Sequence, residues 1–276
     1  MYRIEREEFV QTPYVSLWST LGFQAGFLNA FGFLACGRYV SHVTGVGTQM
    51  GIALGEHNAF FALELLGFPF FFILGAFFSG VTTSARIERG LRPNYGRITL
   101  LLPAGILLLL VAGNAGYFGP FGEQLIRARD FVLLYLLSFI CGLQNGCFAT
   151  LTKGQIRTTH LTGISTDIGT DLARLWFGDL KGKELELTRR TNFSRIATFL
   201  AFAAGSIVSV SMTQSLGYGA LIVPLGTSLV AAFVVRMISH SLDLRLKPHP
   251  ESHQAGTSPV NPSPKLPEHD PRTQLA

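Results

Sequence analysis

The stretch SHVTGVGTQMG, residues 41–51, interrupts a long apolar region with Ser, His, Thr, Gln and three glycines. A second stretch, THLTGISTDIG at residues 159–169, repeats its pattern. At the offset of 118 that aligns the two histidines, the other matches are Ser41 with Thr159, Thr44 with Thr162, Gly45 with Gly163, Thr48 with Thr166 and Gly51 with Gly169. Upstream, Gly26 and Asn29 match Gly142 and Asn145 at an offset of 116, so the order of the matches indicates a gene duplication.

The composition around this repeat predicts an integral membrane protein. Only 14% of the 276 residues are charged, against about 25% in a typical soluble domain. Residues 13–37, 98–118 and 131–152 contain no Asp, Glu, Lys or Arg. Each run is long enough to cross a hydrocarbon core of about 30 Å as a helix.

Three other classes of protein are disfavoured by the same sequence. The leader MYRIEREEF mixes basic with acidic residues, and the apolar run after it is longer than the core of a cleaved signal peptide. The net charge of +5 comes from loops beside the apolar runs, which indicates cytoplasmic loops and no nucleic-acid partner. Cys36, Cys141 and Cys147 match neither a zinc pattern nor a disulfide framework, so we expect small packing residues.

The apolar pattern predicts an all-α fold with about six full spans. They cover approximately 13–37, 59–85, 98–118, 131–152, 193–213 and 216–236. Two shorter segments, 43–56 and 161–177, each contain one copy of the repeated motif. They are predicted to enter the membrane and return on the same side, as interrupted or re-entrant helices.

The distribution of Lys and Arg favours this topology. Six spans with both termini inside place sixteen of the counted basic residues in the cytoplasm and three outside. If both short segments crossed the membrane, the split would be twelve against seven, which fits the positive-inside rule less well. We therefore predict a multi-pass protein with cytoplasmic termini.

Two units of three spans follow from this topology. An odd number of spans places the units, about 13–118 and 131–240, in opposite orientations, so the fold is predicted as two inverted 3+3 repeats. Such repeats with interrupted helices are typical of secondary transporters, and three-plus-three repeats also build channels. Residues 1–12 are predicted as a cytoplasmic segment, 13–242 as the membrane domain, and the proline-rich residues 243–276 as a disordered cytoplasmic tail.

The two motifs and the Asn29 helix also carry a family resemblance. Together with the second copy, TTHLTGISTDIGTDLAR, they resemble the YoaK family of bacterial inner-membrane proteins, domain of unknown function 1275, over roughly residues 13–240. Members commonly show T-G-N or a close variant after the first turn, where this chain has Val46-Gly47-Thr48. The resemblance implies a multi-span protein of the bacterial inner membrane and supplies no activity.

The uncharged polar residues of the repeat are candidate substrate ligands. Asn29 and Asn145 are interpreted either as a packing clasp between two spans or as a substrate-coordinating pair at the centre. Thr44 and Thr162 stand where the short helices start, and Ser41 or Thr159 could cap them instead. Such helix starts are either ordinary capped ends or anion sites within the membrane.

The titratable residues of the repeat are the second group of candidates. His42 and His160 either relay protons and bind substrate or bond a backbone carbonyl. Asp167, Asp171 and Arg174 share one helix face, with Asp171 and Arg174 able to neutralise one another and Asp167 left as a spare carboxylate. Gln49, Ala53 and Glu56 stand at the equivalent positions, so we expect a neutral first repeat and an acidic second one.

Two classes of function follow from these candidates. The first is a small-solute transporter or channel with a midplane site formed by both motifs, coupled to a proton or cation through Asp167. The second is an intramembrane enzyme acting on a lipid-soluble substrate, with His160 and Asp167 as an acid–base pair; a non-catalytic assembly or sensor role is the remaining alternative. No motif implies a cofactor or a metal, and the expected partners are the lipid bilayer, an unknown small solute or ion, and further copies of the chain.

Overall fold

The computed structural model describes residues 6–122, 128–154 and 159–246, and this part of the chain is helical and contains no strand. Its helices are α1 Arg6–Phe9, α2 Thr12–Cys36, α3 Val43–Gly55, α4 Ala59–Thr82, α5 Ser84–Glu88, α6 Tyr95–Asn114, α7 Ala128–Leu151, α8 Leu161–Phe177, α9 Gly182–Leu216 and α10 Ile222–Leu246. A 3₁₀ turn, Gly217–Leu221, joins the last two. The all-α class expected from the sequence is confirmed, and both short segments are separate helices.

Within the part of the chain that the structure describes, four stretches are long and apolar enough to cross a membrane. They are Ala59–Glu88, Tyr95–Asn114, Phe131–Leu151 and Gly182–Ile238, of which the last contains both α9 and α10. Helix α2, the first expected span, is 25 residues long but does not belong to this set. The glycines, hydroxyls and amides of α2 lower its mean hydropathy. More than half of its residues are buried against other helices, so these positions do not need side chains suited to lipid.

Helix α2 has two long neighbours that run in opposite directions. In the contacts with α9, residue numbers increase together in the two helices: Gly22 lies against Thr198, and Ser206 Oγ donates to the Gly26 carbonyl at 3.1 Å. The two helices are therefore parallel.

In the contacts between α2 and α7, residue numbers increase in one helix as they decrease in the other. The rings of Trp18 and Phe148 are 6.3 Å apart, and Gln24 bonds to Gln144, which precedes Phe148 by one turn. Helix α7 is therefore antiparallel to α2.

Helix α4 runs parallel to α7. The Tyr135 hydroxyl donates to the Glu64 carbonyl at 2.6 Å, and farther along both chains the hydroxyls of Ser84 and Thr150 are 2.8 Å apart. Helices α2 and α4 consequently run in opposite directions, so the connection containing α3 begins and ends at one end of the molecule. The guanidinium of Arg38, just after α2, lies 5.5 Å from the ring centre of Phe61 near the start of α4, as this geometry requires.

The apolar core is formed mainly by buried side chains of α2, α4, α6, α7, α10 and the 3₁₀ turn. Trp18, Phe27, Phe31, Phe68 and Phe148 are fully buried there. The outer faces of the long helices carry many exposed large apolar side chains, which is typical of a surface in contact with lipid and indicates a membrane protein.

Two expected boundaries differ from the observed ones. Helix α9 begins at Gly182, well before the expected start of the span at 193. Its first turns are charged, so the apolar pattern that predicted the span did not include them. Helix α10 continues to Leu246, so residues 243–246 of the expected tail are helical. Residues 1–5 and 247–276, which hold most of the two expected terminal segments, lie outside the described residues.

Candidate functional site

A buried amide pair joins the two halves of the chain. Gln24 Nε2 of α2 donates to Gln144 Oε1 of α7 at 3.1 Å, and the Gln144 amide also donates to the Leu21 carbonyl at 3.3 Å. Thr227 of α10 donates its hydroxyl to Gln24 Oε1 at 3.1 Å. Sequence reasoning missed all three side chains, although both glutamines stand in uncharged runs, the signal that singled out Asn29.

Asn29 fixes the chain that follows its own helix. Its Oδ1 atom accepts bonds from the Ser41 backbone N–H at 3.2 Å and from the Ser41 hydroxyl at 3.0 Å. Helix α2 continues from Asn29 to Cys36, about 10 Å farther at 1.5 Å per residue. The chain therefore turns back after α2, and α3 begins near the level of Asn29, inside the end of the long helix.

Asn145 makes the corresponding contact in the second half. Its side-chain amide donates to the Thr159 hydroxyl, while its Oδ1 atom is buried without a hydrogen-bond partner. Helix α7 extends about 9 Å past Asn145 before it ends at Leu151. Asn29 and Asn145 do not form the expected clasp with one another, because each amide bonds the loop before its own short helix. Their role as substrate ligands stays a prediction.

The starts of the short helices differ from the expected capped ends. His42 and His160 occupy the N-cap positions, and neither makes a side-chain capping bond. Thr44 and Thr162 lie in the first turns with exposed side chains, and Ser41 and Thr159 are engaged with the two asparagines. Both histidines are exposed, and the edge of the Tyr39 ring faces His42 at 6.3 Å.

An ion-pair network holds α8 against α9. Arg195 of α9 contacts Asp171 Oδ2 at 2.5 Å and Asp167 Oδ2 at 3.0 Å through its two terminal nitrogens. Arg174 contacts Asp171 Oδ1 at 3.1 Å and Glu184 Oε1 at 3.0 Å. Asp167 and Asp171 pair with Arg195, whereas Arg174, later in α8, pairs with the earlier Glu184 of α9, so the two helices are antiparallel.

This network corrects two expectations about charge. Asp171 and Arg174 do pair, as expected, but Asp167 is no spare carboxylate because Arg195 binds it. The second repeat is not acidic at this point either, since two guanidinium groups balance the two aspartates. Sequence reasoning left Arg195 out, although a lone arginine directly before the uncharged run 196–235 needs a partner in a neighbouring segment.

The corresponding positions of the first half are uncharged. Gln49, at the position of Asp167, is partly buried, and its Oε1 atom has no partner. Ala53, at the position of Asp171, is buried, whereas Glu56, at the position of Arg174, is exposed at the end of α3. Helix α3 is therefore held without the ion pairs that hold α8.

A lateral pocket of about 450 Å³ lies between α4, α6 and α7. Every residue that lines it is apolar: Phe78, Leu101, Ala104, Gly105, Leu108, Leu109, Leu136, Phe139, Ile140 and Leu143. The three cysteines are buried and unpaired, as expected of packing residues. Within residues 6–122, 128–154 and 159–246, no group of three or more His, Cys, Asp or Glu side chains is placed to hold a metal ion.

Comparison with known proteins identifies a family. A family model described as "Protein of unknown function (DUF1275)" matches residues 17–234, most of the chain. The chain therefore belongs to that family, as its motifs indicated. No curated protein and no solved structure matches it.

Proposed function

We propose that this member of the DUF1275 family is a membrane transporter or channel for a small solute, built from two inverted repeats. The observation that carries the proposal is a pair of matching close contacts. A methyl group at Gly26 would overlap the Phe202 carbonyl, and one at Gly142 would overlap the Phe72 carbonyl. Gly142 follows Gly26 by 116 residues, and Phe202 follows Phe72 by 130. Each half therefore contributes the glycine to one contact and the equivalent phenylalanine to the other.

The same exchange holds for a second pair of contacts. A methyl group at Gly205 would overlap the Phe23 carbonyl, and one at Gly75 would overlap the Phe139 carbonyl. The offsets are again 116 and 130. These exchanged contacts support a twofold relation between the halves. The antiparallel run of α2 and α7, the first helix of each half, supports the proposal that this relation is an inversion across the membrane.

Inverted repeats with interrupted helices support transport. In this architecture the two halves rock around a site at their interface, and half-helices that begin within the membrane face the substrate route. Here α3 and α8 begin beside Asn29 and Asn145, near opposite ends of the molecule. The buried Gln24–Gln144–Thr227 group lies between them, where the halves meet. It is therefore the substrate contact in our proposal, and the SHVTG and THLTG motifs line the two access routes.

Coupling to a proton or cation is assigned to Asp167. Its side chain is 49% exposed, whereas Asp171 is 8% exposed and held by two guanidinium groups. Neutralising Asp167 releases one of the two bonds of Arg195 and leaves the buried pair in place. Asp167 is thus the member of the network that exchanges with the aqueous route.

The proposed topology has six spans, formed by α2, α4, α6, α7, α9 and α10. Because α2 and α4 run in opposite directions, the start of α2 and the basic loop 86–97 after α4 lie at one end of the molecule, and six spans bring the end of α10 to the same end. The positive-inside rule makes that end cytoplasmic. The bacterial inner membrane is the location that the family resemblance implies.

Flux into proteoliposomes tests the proposal. The purified protein is reconstituted and challenged with individual radiolabelled polyols, monocarboxylates, amino acids and monovalent cations, with and without a pH gradient. Uptake of at least one solute above that of protein-free liposomes is expected, and Asp167→Asn should remove its dependence on the gradient. If no solute of the panel moves in either direction, a non-catalytic assembly or sensor role replaces transport.

Labelling with a membrane-impermeant maleimide tests the inversion separately. His42→Cys and His160→Cys place thiols at the exposed starts of α3 and α8, and the native cysteines are buried. We expect one position to react only from outside and the other only from inside. Reaction of both from one side contradicts the inverted topology even if flux is observed.

An enzyme acting on a lipid-soluble substrate is less well supported. The lateral pocket between α4, α6 and α7 favours it, because a hydrophobic molecule could enter from the bilayer. Catalysis also needs groups that exchange protons or attack a bond, and no residue lining that pocket carries one. In the His160–Asp167 acid–base pair that this alternative requires, the Asp167 carboxylate is already bound in an ion pair with Arg195.

A further inference from the structure

A second pocket lies between the start of α2 and the charged part of α9. It takes no part in the proposed transport route. Its volume is about 340 Å³, within the range of about 300–1,000 Å³ that small-ligand sites occupy. Its lining residues are Val10, Thr12, Val15, Ser16, Glu186, Arg189, Arg190 and Phe193. Two guanidinium groups, two hydroxyls and an apolar wall therefore share one cavity.

The charges of this pocket are unevenly matched. Arg190 is occupied, because its Nε atom contacts Glu186 Oε1 at 2.5 Å. Arg189 is exposed and makes no ion pair with any residue that the structure describes. Nearby, Lys183 is bound to Glu7 at 2.7 Å, so the available acidic side chains are engaged elsewhere. The pocket thus presents one unmatched positive charge.

The pocket lies where the charged segment before α2 and the charged first turns of α9 give way to uncharged sequence. Before α2 the uncharged run begins at residue 9, directly after Glu8, and on α9 it begins at residue 196. Arg189 and Arg190 stand on the charged side of this boundary and Phe193 lies three residues before it, whereas Thr12 and Val15 lie in the uncharged run. Phe193 is 66% exposed, which places an aromatic ring at the level where aromatic residues mark the membrane–water interface.

We propose that this pocket binds the phosphate headgroup of an anionic phospholipid from the adjacent leaflet. Arg189 binds the phosphate, the Thr12 and Ser16 hydroxyls donate to its oxygens, and the acyl chains follow Val15 and Phe193 into the bilayer. Basic pockets between membrane helices bind anionic headgroups in this way, and guanidinium matches phosphate geometry through paired hydrogen bonds. The bound lipid joins the start of α2 to α9, whichever solute the protein carries.

Native mass spectrometry of the detergent-purified full chain, titrated with phosphatidylglycerol or phosphatidylcholine, tests this proposal. We expect tighter binding of phosphatidylglycerol, and a loss of about tenfold in its affinity in Arg189→Gln, the effect of removing one charge-assisted contact. Glu186→Gln should strengthen binding severalfold, because it removes a negative charge and frees Arg190. Arg89→Gln is the matched control, since Arg89 is exposed in the basic loop after α5 and outside the pocket.

Two results would overturn the proposal. Equal losses in Arg189→Gln and Arg89→Gln would mean that the lipid responds only to overall surface charge. Displacement of phosphatidylglycerol by soluble glycerol 3-phosphate at equal concentration would mean that the pocket is a site for a free phosphate compound, without a contribution from the acyl chains. Thermal unfolding of each variant in detergent shows whether a loss of binding has a folding cause.

Discussion

The guanidinium of Arg195 lies 2.5 Å from Oδ2 of the buried Asp171, and this contact fastens the short helix α8 to the long helix α9. The first half of the chain achieves the same attachment without charge. The offset of 118 places Ala53 at the position of Asp171, and the offset of 130 places Leu65 at that of Arg195. Both are buried, at 3% and 0% exposure. One half therefore has an ion pair where the other has apolar side chains.

This difference predicts the behaviour of a double variant. Asp171→Ala or Arg195→Leu alone should destabilise the protein by about 1.5–3 kcal/mol, because each removes one of the two charge-assisted contacts of the buried group that remains. The double variant should recover most of that loss, since it removes both groups of the buried contact and places there the apolar residue types that the first half has at 53 and 65. Thermal unfolding in detergent, read from tryptophan fluorescence, measures all three proteins.

The exposed pair Glu186–Arg190 provides the control for these single and double variants. Its side chains are 55% and 58% exposed, so Arg190→Gln should change stability by less than about 1 kcal/mol. A double variant that is as unstable as the sum of its single changes would show that the Asp171–Arg195 contact does not compensate for the desolvation of either charge.

The four closely packed glycines predict a second set of results. Gly26→Ala and Gly142→Ala should each reduce the folded fraction strongly, because the added methyl group meets a backbone carbonyl that cannot move without its helix. Gly47→Ala is the matched control: Gly47 also lies in a helix, but no atom lies within 4 Å of its added methyl group. It should be neutral or stabilising by up to about 1 kcal/mol.

Fluorescence-detected size-exclusion chromatography measures the folded fraction of these variants. Similar losses for Gly26→Ala and Gly142→Ala are expected, since the two contacts correspond. A large loss at one position and none at the other would count against the twofold relation between the halves.

Much of the fold could be predicted from the sequence, because hydrophobic segments and a polar repeat are local patterns. The short helices α3 and α8 begin at Val43 and Leu161, as the motifs indicated. Their attachment could not be predicted in the same way. Which side chain Asn29 bonds depends on how the loop 37–42 folds back, and a sequence pattern does not contain that path. The pairing of Arg195 with Asp171 depends likewise on the register between two helices.

Release of the segments that precede α3 and α8 is a third prediction. Asn29→Ala removes the acceptor of two bonds from Ser41, and Asn145→Ala removes the donor to the Thr159 hydroxyl. Amide hydrogen exchange at the starts of α3 and α8 should therefore become faster, each in its own variant, while exchange in the long helices stays unchanged. Asn94→Ala, which removes an exposed cap at the start of α6, is the control and should affect only that helix. Acceleration at both short helices by either variant would contradict the separate roles of the two asparagines.

The amide pair at the centre gives the sharpest distinction between a structural and a transport role. Gln144→Leu alone leaves Gln24 without one of its partners, so it should lower both stability and flux. Gln24→Leu with Gln144→Leu removes both amides, so stability should largely recover, because no buried polar group of the pair is left unmatched. Flux of any solute found to move should stay low in the double variant, since the proposed contact for the solute is gone. Measurements of unfolding temperature and proteoliposome uptake on the same preparations separate the two effects. A double variant that is stable and transports at the original rate would exclude the amide pair from the substrate route and leave it as a packing contact between α2 and α7.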